Sequence, residues 1–363
     1  MRRVASEQVR GIILSMSTCR TWAVAGILCL GSILGTGQIP NQNPPAAPSG
    51  KLDQSKPIEL KVDVPSSFMW VAMGDLRETQ TGNHSSSDPE RRQAIIHAIA
   101  DINPKFVGVS GDLVLSGGNE ADWEQWDRET AEWAAKNIVI VPAPGNHDVH
   151  GDPLLERYFR RFPALRQNRY FSVRAGNVLV LSLDSSLPTA TGLQFDWIKD
   201  KVEHLGKETE FVVFLMHHPP VTRSVDHLLG GGHSERPTEI AFARWLEDEQ
   251  TRTAAKFVVI AGHVHNYERY TRNKVTYIVS GGAGATPYMI ERGPDDVYKD
   301  PGASYHYLKI DVSKGKMRIG MEKLEISEGH PVWNERDSVT MEGPNASGTP
   351  KLGDLLPKLQ GKP

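Results

Sequence analysis

FVGVSGDLV, residues 106–114, reads as a short apolar strand running straight into Gly-Asp, and the same grammar recurs four more times along the chain. FMWVAMGDLR (68–77), IVIVPAPGNHDV (138–149), FVVFLMHHPP (211–220) and FVVIAGHVHNYER (257–269) each join a β-rich apolar run to glycine or proline and a metal-ligand residue type. Apolar runs of this length bounded by turn residues fit strands buried on both faces, and helical segments lie between them, so the pattern points to an α/β fold. Such sheets place their sites at the carboxyl ends of the strands. Asp75, Asp112, Asn146, His217, His263 and His265 are therefore expected to converge.

The residue types fit a binuclear metal site. Two cations about 3.5–4 Å apart need a bridging anion to offset their repulsion, and a carboxylate that binds both supplies it. Asp112 is the bridging candidate. Asp75 would hold the first ion and Asn146 the second, while His217, His263 and His265 complete the shells as neutral imidazoles. Mixed oxygen and nitrogen donors suit iron, manganese or zinc, so two transition-metal ions are the expected cofactors. Water held between such ions has its pKa drawn towards about 7, and the resulting hydroxide can attack phosphorus in line. An aspartate after glycine is ordinarily a turn or helix-cap residue, and it is the recurrence of the pattern that argues for ligands.

In order and strand context, these five segments resemble the signature of the calcineurin-like metallophosphoesterase superfamily. GHVHNYER, followed by SGGAGATPY at 280–288, is most similar to the purple acid phosphatase branch. The resemblance spans about residues 66–325. It implies a four-layer αββα sandwich, two mixed β-sheets flanked by helices, and hydrolysis of phosphate esters. It also implies that His147, in the GNHD motif, is a catalytic histidine rather than a ligand, and that His217 is the ligand of the HHPP pair, with His218 beside it either supporting the ligands or facing substrate.

Two positions depart from that family. Members commonly carry a histidine two residues after the first aspartate, or a tyrosine three residues after the bridging one, and either adds a ligand to the first metal. Here those positions are Arg77 and Leu115. The first site is expected to be the weaker, and without tyrosinate the protein should not be purple. An aspartate that orients the catalytic histidine in another branch is likewise replaced by Leu115. Arg77 reads either as a charge-assisted contact to substrate phosphate or as a plain salt bridge.

Composition fits a hydrolase acting outside the cytoplasm. The 363 residues are 39% hydrophobic and 23% charged, ordinary for a globular enzyme. Arg2, Arg3, Arg10 and Arg20 precede or border an apolar run from Trp22 to Leu34 that ends in small residues, the pattern of a signal peptide over 1–37. A secreted or periplasmic product follows. Removing that segment takes away four arginines and one glutamate and moves the formal charge from −3 to about −6. A mildly acidic surface disfavours a nucleic-acid scaffold, and no stable membrane partner is expected, so the partner is a small phosphate-ester substrate. Cys19 and Cys29 both lie in the removed segment, which excludes a cysteine nucleophile.

Residues 38–58, rich in Pro, Asn, Gln and Gly, read as a disordered linker, 59–328 as the catalytic domain, and 329–363 as a low-order tail. No amino-terminal accessory domain fits between signal peptide and first motif. Asp88 should cap a helix with Pro89 in its first turn, Ile95, Ile96, Ile99 and Ile102 on one face, and Asn103-Pro104 at its end. Helices also fit 121–135, 193–205 and 237–249. Strands fit 170–173 and 178–183 around Gly176, and 305–312 with 317–324 around Lys314-Gly315. Tyr267 and Arg269 are expected to buttress the GHVH turn. His84, His150, His227 and His233 read as ordinary solvated histidines, with His84 a stand-in candidate for the first metal. The leading function is a secreted metal-dependent phosphoesterase acting on mono- or diesters. A degenerate phosphate-binding or structural module with the same fold is the alternative that Arg77 and Leu115 motivate.

Overall fold

In the computed structural model, residues 57–79, 86–224 and 233–346 are described. The signal peptide, nearly all of the linker, both cysteines, His84, His227 and residues 347–363 of the expected tail lie outside the described residues. In chain order the elements are β1 (Glu59–Lys61), β2 (Phe68–Met73), α1 (Pro89–Ile102), β3 (Phe106–Ser110), α2 (Glu120–Glu129), α3 (Ala131–Ala135), β4 (Val139–Ala143), α4 (Asn146–Val149), α5 (Glu156–Arg161), β5 (Phe171–Ala175) and β6 (Val178–Ser182). They continue with α6 (Gly192–Glu203), β7 (Phe211–Met216), α7 (Pro237–Gln250), β8 (Lys256–Ala261), β9 (Tyr267–Arg272), β10 (Val275–Ser280), β11 (His306–Ser313), β12 (Lys316–Ser327) and β13 (His330–Glu342).

Two mixed sheets with flanking helices result, as the family resemblance implied. One runs β1-β5-β6-β7-β8-β10-β9 and the other β13-β12-β11-β2-β3-β4. The motif-bearing strands are parallel neighbours within each sheet: β2, β3 and β4 in one, β7 and β8 in the other. Their side chains alternate between two cores, as a period of two requires. Phe211, Val213 and Leu215 of β7 join the large core shared with β2, β3 and α1, whereas Val212, Phe214 and Met216 pack with Ile198 and Val202 of α6 and Phe242 and Leu246 of α7. A run apolar on both faces is thus a central strand.

The first helix forms as its caps dictate. Asp88 Oδ1 accepts the Arg91 N–H at 3.1 Å, Pro89 opens the first turn, and Asn103 ends the helix in a left-handed conformation. The expected helix over 121–135 is instead two. Thr130 turns its hydroxyl back to the Trp126 carbonyl at 2.7 Å with ψ near 4°, and this breaks the helical run before α3.

The larger correction concerns residues after Gly329. His330–Glu342 form β13, antiparallel to β12 along nearly its whole length. Glu328 and Gly329 both have positive φ (51° and 80°), the backbone that a tight hairpin turn demands. The reading as a low-order tail failed because the half-buried positions of this edge strand mix Trp333, Val339 and Met341 with Asp337, which interrupts the apolar alternation. The ordered domain therefore extends beyond residue 328.

Candidate metal centre

Five strand ends build the site. β2 leads to Asp75 and Arg77, β3 to Asp112, β4 to Asn146 and His147, β7 to His217 and His218, and β8 to His263 and His265. The connecting backbone is bent sharply at the residues that matter: Asp75, Arg77, Asp112 and His263 all have positive φ (63°, 48°, 53° and 70°). Left-handed backbone at a non-glycine residue costs on the order of 1–3 kcal/mol. It persists where the surroundings over-determine it, and each fully buried Val, Leu or Phe of the two cores contributes about 1.5–3 kcal/mol against it. Glycines allow the loops to close. A Cβ at Gly111 (φ 92°) would come within 2.6 Å of His217 Nδ1, and one at Gly145 within 2.3 Å of Asp112 Oδ1.

Hydrogen bonds fix which atom each histidine presents. His217 Nδ1 donates to the Ser110 carbonyl at 2.9 Å, which leaves the Nε2 lone pair facing the pocket. There it meets Asn146 Oδ1 at 2.9 Å, His263 Nδ1 at 3.2 Å and Asp112 Oδ1 at 3.3 Å. Two oxygen acceptors facing a nitrogen lone pair in this way call for a cation between them. His265 Nδ1 likewise donates to the Thr286 carbonyl at 3.1 Å. Its Nε2 and Asp75 Oδ1 are buried without a hydrogen-bond partner, 3.6 Å apart. Two donor sets sharing Asp112 thus fit metal ions, on the chemistry of the atoms alone.

Charges follow from burial and neighbours. Burial holds the His217 and His218 imidazoles below their ordinary pKa, and burial together with the positive charge of Arg77 does so for His265, so all three are neutral at pH 7 and able to donate a lone pair. Burial and the neighbouring Asp112 push the Asp75 carboxyl well up. For Asp112 burial works against ionisation, but the Arg77 guanidinium and the His147 backbone N–H favour the carboxylate and keep it charged.

His147 is oriented by an atom that residue types do not announce. Its Nδ1 donates to the backbone carbonyl of Leu115 at 2.6 Å, which leaves Nε2 as the ring nitrogen for other partners. The expectation that Leu115 deprives His147 of an orienting partner is therefore corrected: the carbonyl does the work irrespective of the side chain. The His147 backbone N–H donates to Asp112 Oδ1 at 2.9 Å. Asp148 pins the turn from below, accepting the Gly145 N–H at 2.8 Å on one oxygen and those of Leu113 and Val114 at 2.9 and 3.2 Å on the other.

Arg77 reaches into the pocket, its Nε 3.3 Å from Asp112 Oδ2. His218 Nδ1 lies 2.8 Å from Ser185 Oγ, and its donor atoms are grouped with those of His217 and His263 within 4.8 Å. His233, read as a solvated histidine, has its ring 4.8 Å from that of His263 and 5.9 Å from that of His265, with Tyr288 5.6 Å away. No spacing rule singled it out, because it lies far along the chain from the end of β7, shortly before α7. His150 stays at the surface beside Ser116. The GGAGA run packs against the first motif, the Ala285 N–H donating to the Asp75 carbonyl at 2.7 Å.

Tyr267 and Arg269, expected to buttress the GHVH turn, lie on β9 just after it and bind a partner on β13. Arg269 grips Asp337 with two nitrogens at 2.6 and 2.7 Å, and the Tyr267 hydroxyl donates to the same carboxylate at 2.8 Å.

Comparison with known proteins agrees with this geometry. Residues 71–282 match the family described as calcineurin-like phosphoesterase. The chain is 25% identical over 302 residues to a purple acid phosphatase of Glycine max, covering 77% of this chain and 59% of that protein. It is also 25% identical over 288 residues to Fe(3+)-Zn(2+) purple acid phosphatase 12 of Arabidopsis thaliana, covering 74% and 56% respectively. The chain thus spans little more than half the length of these relatives. Among solved structures, purple acid phosphatase PPD1 of yellow lupin (Lupinus luteus) has the same fold, with a TM-score of 0.58 at 17% identity over 77% of this chain and 54% of that one.

Proposed function

Since the chain belongs to the calcineurin-like phosphoesterase family, we propose that it hydrolyses phosphate mono- or diesters with the help of transition-metal ions, iron, manganese or zinc, held by Asp75, Asp112, Asn146, His217, His263 and His265. The convergence of Asn146 Oδ1, His263 Nδ1 and Asp112 Oδ1 on the His217 Nε2 lone pair carries this reading. When bound, the ions supply Lewis acidity and activate water as the nucleophile.

The protein groups do the rest. His147 presents Nε2 to the pocket, and as an imidazolium it delivers a proton to the departing alkoxide oxygen. Arg77 and His218 face the same space and stabilise the charge on the phosphate oxygens. Asp148 and the Leu115 carbonyl keep His147 and Asp112 in place. A structural module without turnover loses half its motive once His147 has the Leu115 carbonyl as partner.

The amino-terminal sequence supports action outside the cytoplasm, and no described helix is long and apolar enough to cross a membrane. The test is hydrolysis of nitrophenyl phosphate and bis(nitrophenyl) phosphate before and after chelation, with add-back of each metal. Activity lost to the chelator and restored by one of these ions is expected. Full activity after exhaustive chelation would sink the mechanism.

A further inference from the structure

Both ends of Arg77 are held on the Asp112 loop. Its backbone N–H donates to the Asp112 carbonyl at 2.9 Å, and its side chain, 11% exposed, places Nε 3.3 Å from Asp112 Oδ2. Left-handed backbone at Asp75 and again at Arg77 folds the segment so that both side chains enter one pocket. Asp112 is thereby divided between two kinds of partner. Oδ1 faces His217 Nε2 and takes the His147 N–H, whereas Oδ2 faces the guanidinium.

We infer that the Arg77 guanidinium supplies the second positive charge of this centre, so that one tightly held ion sits with Asp112, Asn146, His217 and His263 while Arg77 neutralises Asp112 Oδ2 where a second ion would bind. The inference rests on the metal-dependent reading above. A guanidinium has no lone pair to donate and stays charged at any working pH, so at this position it cannot ligate a metal and competes with one. Asp75 Oδ1 and His265 Nε2 remain latent donors, 3.6 Å apart, that an ion reaches by displacing Arg77. The positive charge also opposes any cation approaching them, since like charges a few ångströms apart repel strongly in a buried pocket.

Metal binding decides the matter. Equilibrium dialysis against Mn²⁺, followed by metal analysis and electron paramagnetic resonance, should find one ion per wild-type chain over about a hundredfold range of free metal before a second enters. The spectrum should be that of an isolated Mn²⁺. Arg77→His and Arg77→Gln, checked for folding by circular dichroism, should take up two ions over the same range and show exchange coupling between them. Arg77→Lys, which keeps the charge, should retain the single-ion behaviour and guards against misfolding of the neutral variants. Two ions of equal affinity in the wild type, or an unchanged isotherm when the charge is removed, would overturn this inference alone. No ion bound by any variant would overturn the hydrolase reading and this inference with it.

Discussion

The two halves of the donor pocket are built on the same strained backbone yet are unequally equipped. Around His217 Nε2, three potential ligand atoms from three different strand ends lie within 3.3 Å. Around His265 Nε2, Asp75 Oδ1 stands 3.6 Å off and the nearby Asp112 oxygen is already engaged by Arg77. Left-handed residues occur in both halves, so backbone strain is not the difference. What differs is the supply of lone pairs: one half gathers them ready for a cation, and the other lacks a ligand and contains a fixed charge. Preorganisation of this kind is set by individual side chains on a scaffold that is common to both.

Removing the centre of the stronger half should have the largest effect. His217→Ala is expected to lose the tight ion and all detectable turnover, measured by metal analysis and nitrophenyl phosphate hydrolysis, whereas His265→Ala keeps that ion. Equal damage from the two would abolish the distinction between the halves.

His147 tests the chemistry next to the stronger half. His147→Ala should lower turnover of an alkyl phosphate by on the order of 10² to 10⁴ with metal content unchanged. The loss should shrink for nitrophenyl phosphate, whose leaving group departs without a proton. Equal losses on both substrates would reassign His147 to holding phosphate.

Asp148 supports that half through three backbone N–H groups. Asp148→Asn turns one acceptor edge into a donor against them, and metal affinity measured by calorimetry should fall about 10–100-fold, as for other supports of metal ligands. An unchanged affinity would show that the loops hold themselves.

A smaller change is expected from Asp337, which ties β13 to the turn after His265. Hydrogen bonds to charged groups are worth about 1.5–3 kcal/mol, less where solvent reaches them, so Asp337→Ala should lower the melting midpoint by a few degrees and weaken the His265 half preferentially. Identical metal binding after the substitution would separate β13 from the site. The least effect concerns colour. Leu115 cannot ligate, and burial pushes Tyr288, beside His265, up to about 12, so the iron-loaded protein should lack a tyrosinate band. A band that disappears in Tyr288→Phe would give the weaker half an additional ligand.

The α/β class and the donor set were legible because both are written in local patterns, whereas the two-sheet layering was implied by the family resemblance. Apolar runs marked β2, β3, β4, β7 and β8, and the glycine-linked Asp, Asn and His after them marked the pocket. β13 was not legible, since its half-buried positions mix Trp333, Val339 and Met341 with Asp337, which breaks the apolar alternation that marks a half-buried strand. His233 was not either, since it lies far from the end of β7 and its place next to His263 depends on how the chain ahead of α7 folds back.

By itself, then, the sequence determined that five strand ends would bring together two carboxylates, an amide and three imidazoles, because strand period and turn residues act over a few positions and leave little choice. Tertiary structure alone decided three further matters. His147 is oriented by the Leu115 carbonyl, a backbone atom that every residue type possesses. Arg77 is turned onto Asp112 by two successive left-handed bends that its residue type does not encode. Asp337 grips Arg269 across 68 residues of chain. Each of these depends on where the folded backbone places an atom in space, and that position is the outcome of the whole packing.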